Sequence, residues 1–167
     1  MKIFITNLEA YNNGKLQGEW VTLPLKDFDN DFKAILKRIG NPEEYFITDY
    51  ECDYYEIDEY EDYEDIEKLN KLAEYYNGLD KDDQTKLKFY IEDQGIQCDE
   101  DIIDVDLDDI LFYPDMSLEE LAEEFVNEGV FGNIPDSIRS YIDFKAIARD
   151  LVHDGYTETD EGVFCCV

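Results

Sequence analysis

The stretch Glu43–Glu67, EEYFITDYECDYYEIDEYEDYEDIE, carries thirteen acidic and seven aromatic residues and contains no lysine or arginine. Tyr45 and Ile47 alternate with polar neighbours, as do Tyr55 and Ile57, and this period of two is typical of half-buried β-strands. Disordered acidic segments are poor in aromatic residues, in contrast to this one. The stretch is therefore predicted to be folded and to hold its carboxylates at fixed positions.

The whole chain is strongly acidic, with forty-four Asp and Glu residues against fourteen Lys and Arg residues and a net charge of -30. Its hydrophobic content of 44% is sufficient for a core, so we expect a globular protein. Nucleic acids and anionic membranes are excluded as partners, because each is an anion that would approach against the field. The predicted counterpart is the basic surface of a DNA- or RNA-binding protein.

Neither a membrane span nor a secretory signal is readable, since the sequence has no apolar run of about 18 residues and no signal-like N-terminus. We therefore expect a cytoplasmic protein. The cysteines lack the C-x-x-C spacing of metal ligands and are predicted to be reduced thiols without a metal. They are Cys52, Cys98, Cys165 and Cys166.

No catalytic motif is recognisable, and we predict that the protein is not an enzyme and uses no cofactor. The single histidine, His153, has no nucleophile motif beside it. The sequence DVDLDD at 104–109 resembles the start of a calcium loop, but it lacks the glycine at the sixth position, and Asp115 stands where a bidentate glutamate is needed.

Three strands are predicted in the N-terminal part, at Lys2–Leu8, Glu19–Leu25 and Tyr45–Glu51. A turn at Asn12-Asn13-Gly14 would join the first two, because Asn and Gly tolerate positive φ. Apolar residues at helical spacing from Phe28 to Ile39 predict a helix that covers this sheet. Trp20 is predicted to lie in the core.

The middle of the chain is predicted to be helical, with one helix from Ile66 to Tyr76 and a second that Asp80 caps. Apolar and acidic residues alternate within DEDIIDVDLDDILFY at 99–113, which predicts a strand with one acidic face. A capping box formed by Ser117 and Glu120 predicts the start of another helix.

After this helix, Gly129, Gly132 and Pro135 are interpreted as cap and turn residues. Two short helical pieces are expected next, and residues 155–167 predict a closing hairpin. The fold class is therefore α+β, as an elongated chain of three small consecutive units that combine antiparallel sheets with helices.

The predicted units are an N-terminal sheet with a helix at 1–61, a helical middle unit at 62–104 and a C-terminal α+β unit at 105–167. They contain six bases against fourteen acids, five against fourteen and three against sixteen, so every unit is acidic. The C-terminal unit is also predicted to carry a dimer interface built from apolar residues around its turn. These are Phe125, Val130, Phe131, Ile134 and Tyr141.

The charge is large enough to imitate double-stranded DNA. DNA carries one charge per roughly 1.7 Å of axis, so thirty charges correspond to about 50 Å, or about 15 base pairs, and a dimer would match about 30. The acidic surface of this mimic is predicted to comprise Glu43, Glu44, Asp49, Glu51, Asp53, Glu56, Asp58, Glu59, Glu61, Asp62, Asp104, Asp106, Asp108, Asp109, Glu119, Glu120, Glu123, Glu124 and Glu128.

Three segments resemble the ArdA-type antirestriction proteins: ITNLEAYNNGKLQGEWVTLP at Ile5–Pro24, EEYFITDYE at Glu43–Glu51 and EEFVNEGVFGNIPDSIRSYIDFKAIARDL at Glu123–Leu151. The resemblance implies a dimeric DNA mimic that occupies the DNA groove of type I restriction-modification enzymes. In these enzymes the methyltransferase core with its specificity subunit forms the groove. It also implies an origin on mobile genetic elements, whose incoming DNA the protein would protect. The family's antirestriction motif maps to about Val126–Tyr141.

Two other function classes fit the same charge. An acidic inhibitor or chaperone of another basic DNA-binding protein would need a similar surface, and a carboxylate hydrolase could use a pair of the forty-four acids. Incubation with a type I methyltransferase core and a DNA probe distinguishes these classes.

Overall fold

The computed structural model describes residues 1–57, 66–95, 102, 103 and 105–167. The chain divides into two compact units, Met1–Val105 and Asp106–Val167. Each contains helices and a three-stranded antiparallel sheet, which confirms the predicted α+β class. The predicted boundary at residue 61 lies outside the described residues, and the division into three units stays a prediction.

The sheet of the first unit has strand β1 (Lys2–Asn7) at its centre, between β2 (Gly18–Thr22) and β3 (Tyr45–Glu51). All three predicted strands are confirmed. The connection between β1 and β2 differs from the predicted simple turn, because the short helix α1 (Leu8–Asn12) follows β1 directly. The buried Asn7 side chain caps α1 by accepting a hydrogen bond from the Ala10 N–H at 2.9 Å.

Helix α2 (Phe28–Arg38) forms as predicted and contacts this sheet through Phe32 and Arg38. Its Phe32 ring contacts Tyr45 of β3 edge to face, with 5.3 Å between ring centroids. Its Arg38 guanidinium donates to both carboxylate oxygens of Glu19 on β2. Asn7 also donates to the carbonyl of Ile39, so one buried amide fixes the start of α1 and the end of α2.

The predicted middle helices are confirmed as α3 (Ile66–Gly78) and α4 (Lys81–Gln94). Buried Asn70 of α3 accepts a hydrogen bond from the Leu25 N–H at 2.6 Å. The rings of Tyr54 and Tyr76 stack with 3.7 Å between centroids. These two contacts join the helical segment to the sheet in one unit.

The second unit has a sheet in the order β4 (Ile110–Pro114), β6 (Gly162–Cys166) and β5 (Tyr156–Thr159). The closing hairpin β5–β6 is confirmed. The strand predicted over 99–113 is confirmed from Ile110 onwards and is wrong at Leu107–Asp109, which form a 3-10 helix. The Asp106 carboxylate accepts a hydrogen bond from the Asp108 N–H, and such local side-chain bonds compete with strand pairing. Residues 96–101 and 104 lie outside the described part.

Three helices complete the second unit: α5 (Leu118–Glu128), α6 (Asp136–Arg139) and α7 (Phe144–His153). Gly129 ends α5 in the left-handed conformation, as its interpretation as a cap residue predicted. The core joins helices α5 and α7 to the sheet. It consists of Leu121, Ala122, Phe125, Leu151 and Val163.

Candidate functional site: the acidic surface

Among the acids of the opening stretch, Asp49 and Glu51 lie on an edge strand, and Asp53 and Glu56 lie on the chain that follows it. Strand β3 pairs only with β1 among the described strands, and its Asp49 and Glu51 are exposed. Buried Tyr54 and Tyr55 anchor the chain beyond β3, while Asp53 beside them stays exposed. Charges on an edge strand also prevent pairing with another chain. The alternation of buried aromatic and exposed acidic residues therefore fixes these carboxylates in place.

Most other predicted surface acids in the described part are exposed as well. They are Glu43, Glu44, Glu56, Asp106, Asp108, Asp109, Glu119, Glu120, Glu123 and Glu128. Glu124 is half-buried, and its Oε2 atom is buried without a hydrogen-bond partner in the part of the chain that the structure describes. Asp58, Glu59, Glu61, Asp62 and Asp104 lie outside the described residues.

Helix α5 shows how the fold orients its acids. Leu121, Ala122, Phe125 and Val126 are buried along one face, so Glu119 and Glu123 project from the opposite side. Glutamates four residues apart repel each other, at a cost of about 0.2 to 0.5 kcal/mol for each pair. Burial of the apolar face therefore holds this helix in a charge arrangement that is unfavourable by itself.

The start of α5 is fixed by two carboxylates. Ser117 and Glu120 form the predicted capping box, in which the Glu120 carboxylate accepts from both the N–H and the Oγ of Ser117. These hydrogen bonds lower the pKa of Glu120. Glu158 of β5 accepts from the Leu118 N–H at 2.8 Å, a contact across forty residues that sequence spacing does not reveal. Glu120 is thus a structural as well as a surface carboxylate.

Few bases neutralise this surface, although all fourteen lie in the described part of the chain. Among the described residues of the predicted surface, Glu51 alone has an ion pair within 4.0 Å, with Lys2. That pair is exposed, and exposed pairs contribute little to stability. Other pairs, such as Arg38 with Glu19, lie outside the predicted surface. The field of the surface acids is therefore largely uncompensated.

The thiols show no feature of a reactive or metal-binding site in the described ranges. Cys52 and Cys165 carry free thiols, and Cys98 lies outside those ranges. Burial raises the pKa of the Cys52 and Cys165 thiols, which favours the unreactive protonated form. Within the same ranges, no group of three or more His, Cys, Asp or Glu side chains is placed to hold a metal ion.

The predicted interface residues fall into two groups. Val130, Phe131 and Tyr141 are exposed by 60%, 52% and 84% of their surface, which is unusual for large apolar side chains in one short segment. Ile134 is half-buried, whereas Phe125 is buried in the core of its own chain. The Phe131 ring contacts Phe125 edge to face at 6.5 Å. An exposed apolar segment thus rests on the core through Phe125.

The prediction that Trp20 lies in the core is wrong. Its side chain is 44% exposed on β2 and contacts the Phe4 ring. A single large apolar residue gives no sequence signal of which sheet face it occupies, and the register of β2 places Trp20 on the outer face.

In the described part, no helix is long and apolar enough to cross a membrane.

These features define a small acidic α+β protein that displays fixed, mostly unpaired carboxylates in both of its units. The model of the family described as antirestriction protein (ArdA) matches residues 3–165, nearly the whole chain. The chain therefore belongs to the ArdA family of antirestriction proteins, which confirms the resemblance seen in its sequence. Comparison with curated proteins finds no significant match.

The two roles of the α5 glutamates are separable by substitution. Replacing Glu123 with glutamine removes its i,i+4 repulsion with Glu119 without touching the cap or the favourable carboxylates of the first turn, so the free energy of unfolding should rise by about 0.2 to 0.5 kcal/mol. Glu120→Ala removes the cap and should lower stability at neutral pH. Urea unfolding followed by circular dichroism measures both changes.

The pH dependence of the same variants provides a control. Because the folded-state pKa of Glu120 is lowered, its stabilising contribution is present above the ordinary carboxyl pKa and is lost as pH falls through the lowered value. The stability difference between the parent and Glu120→Ala should therefore shrink in acid. A difference that stays constant with pH would contradict this role of the carboxylate.

Proposed function

We propose that this antirestriction protein inhibits type I restriction-modification enzymes by acting as a mimic of double-stranded DNA. It would occupy the basic DNA groove formed by the methyltransferase core and its specificity subunit. The observation that carries this proposal is the set of exposed carboxylates in both units, nearly all without a paired base among the described residues. A groove built to bind phosphates offers such a surface the counter-charges that it lacks.

The spacing of the carboxylates supports mimicry over a diffuse negative charge. Glu119 and Glu123 stand four residues apart on α5, which separates them by about 6 Å along the helix axis. Asp49 and Glu51 share one face of β3, about 7 Å apart along the strand. Regular intervals of this size on rigid elements are comparable with the distances between neighbouring phosphates of DNA. Rigid placement also avoids the entropy cost of ordering charges on binding.

A homodimer would double the length of the mimic. We propose that the exposed segment around Val130, Phe131 and Tyr141 forms its interface, with Ile134 beside it and Phe125 supporting it from the core. Two chains of this charge associate only if apolar burial exceeds their repulsion, and this segment is the apolar surface that the C-terminal unit exposes next to its core. Thirty charges for each chain then correspond to about 30 base pairs for the dimer.

Inhibition by occupation requires no chemistry from the protein. We propose that it is not an enzyme, needs no cofactor and acts in the cytoplasm, where restriction enzymes meet incoming DNA. The protected DNA would be that of the mobile element encoding the protein. The alternative, an acidic inhibitor of another basic DNA-binding protein, shares the electrostatics but not the target.

Competition for the DNA groove tests the proposed function. A labelled duplex bound to a type I methyltransferase core should be displaced by the protein, and the concentration needed should increase in proportion to the duplex present. Fluorescence anisotropy measures the displacement, and an unrelated basic DNA-binding protein serves as the control target. A ternary complex of enzyme, duplex and inhibitor would contradict groove occupation. Equal displacement from both targets would favour the alternative.

The dimer is tested by placing a charge in the exposed apolar segment. Phe131→Asp should give a folded monomer, because each copy of the interface would then bury an unpaired carboxylate. Sedimentation measures the oligomeric state and circular dichroism the fold. Val152→Asp is the matched control, since Val152 is 53% exposed on α7, outside the segment. A Phe131→Asp variant that remains dimeric would place the interface elsewhere.

A further inference from the structure

The outer face of the first sheet carries an exposed aromatic pair that the acidic surface does not explain. Trp20 of β2 stands directly opposite Phe4 of β1, and the two rings meet edge to face with 5.4 Å between centroids. Gly18 leaves room for this arrangement, because a Cβ atom there would lie 2.7 Å from the Phe4 ring. Phe4 is half-buried, while Trp20 is 44% exposed. The pair is thus packed on one side and open to a ligand on the other.

A carboxylate completes the row across the sheet. Asp49 of β3 stands directly opposite Phe4 on the side away from Trp20, and it is exposed. Directly opposed residues share a sheet face, and neighbouring strands lie about 4.8 Å apart. Trp20, Phe4 and Asp49 therefore form one continuous row over three strands. The next row contains Glu51 in its ion pair with Lys2.

We propose that this row binds an arginine side chain of the target enzyme's basic groove. The proposal rests on the proposed function and adds a specific contact to it. A guanidinium is attracted to the face of a tryptophan ring, stacks on it as a planar group and donates hydrogen bonds to a carboxylate. The row offers an indole, a second ring that orients it and a carboxylate free of a base among the described residues.

Charge complementarity selects this occupant over others. A second copy of the chain carries the same net charge of -30, which opposes its docking on a row that contains Asp49. DNA is excluded for the same reason. The apolar part of the row is a single exposed indole beside a half-buried ring, which is too small for a hydrophobic protein interface but sufficient for one cationic side chain.

Trp20 is the only tryptophan in the chain, so it can report its own occupancy. Replacing it biosynthetically with 5-hydroxytryptophan gives a fluorophore that can be excited selectively beside the tryptophans of the enzyme. Addition of the type I methyltransferase core should protect this residue from acrylamide quenching. Protection that a competing DNA duplex reverses supports the proposal, whereas unchanged quenching in a complex that still inhibits overturns it.

Substitution provides a test that is independent of the quenching measurement. Trp20→Thr keeps a residue suited to an exposed strand position and should weaken inhibition roughly 2- to 30-fold, with an unchanged dependence on salt. Asp49→Asn should also weaken inhibition, and it should reduce the salt dependence because it removes a charge. Leu16→Ser, at a residue 72% exposed before β2, is the control and should inhibit normally.

The failures of the two proposals are distinguishable. Full inhibition by both folded variants would overturn the arginine contact and leave the proposed function standing. If the unchanged protein fails to displace DNA from the methyltransferase core, the proposed function is wrong and the contact is wrong with it. Circular dichroism of each variant confirms folding. The quenching measurement keeps an indole ring at position 20, so it tests the contact even if Trp20→Thr does not fold.

Discussion

Electrostatic self-repulsion is the constraint on which the rest of this structure depends. A net charge of -30 on 167 residues disfavours the compact state, so the apolar contacts must exceed both the chain entropy and the repulsion. Aliphatic side chains form most of the buried core, and Tyr54, Tyr55, Phe125 and Phe164 are its aromatic members. Two of the aromatic pairs, Tyr54–Tyr76 and Phe112–Phe164, are stacked face to face. The carboxylates of this antirestriction protein are displayed by the same elements that bury its rings.

Hydrogen bonds of polar side chains, buried at Asn7 and Asn70 and exposed at Glu120, hold those elements in place. Asn7 connects the first helix to the end of the second, and Asn70 ties the helical segment to the chain that follows β2. Ser117 and Glu120 fix the start of α5. Each of these contacts sets the position of a charged face, because a shift of one residue in a strand or helix would turn acids inward. The surface charge pattern is therefore encoded by a few uncharged residues and caps.

Regular periodicity made much of the fold predictable from the sequence. Strand β3 follows from its alternation, and helices α2, α3 and α4 follow from their apolar stripes and the Asp80 cap. The acids that the structure exposes on α5 follow likewise from its buried stripe and capping box. These features are local, so they can be read from neighbouring residues alone.

The features that the sequence did not predict depend on competition between local bonds or on distant contacts. The alternation before Ile110 resembles a strand, but the hydrogen bond of Asp106 to the Asp108 N–H favours a 3-10 turn. The exposure of Trp20 is set by its register opposite Phe4, and the second cap of α5 comes from Glu158 forty residues later. Neither can be inferred from spacing.

Electrostatic mimicry requires that carboxylates take the place of DNA phosphates in the basic groove of the enzyme. Their binding then releases counterions, as the binding of DNA does. The most direct test is the dissociation constant for a type I methyltransferase core, measured over a series of salt concentrations. Mimicry predicts that its logarithm rises linearly with the logarithm of salt concentration, as for duplex DNA, and that neutralising Glu119 and Glu123 together lowers the slope. A dissociation constant independent of salt would contradict the mimicry.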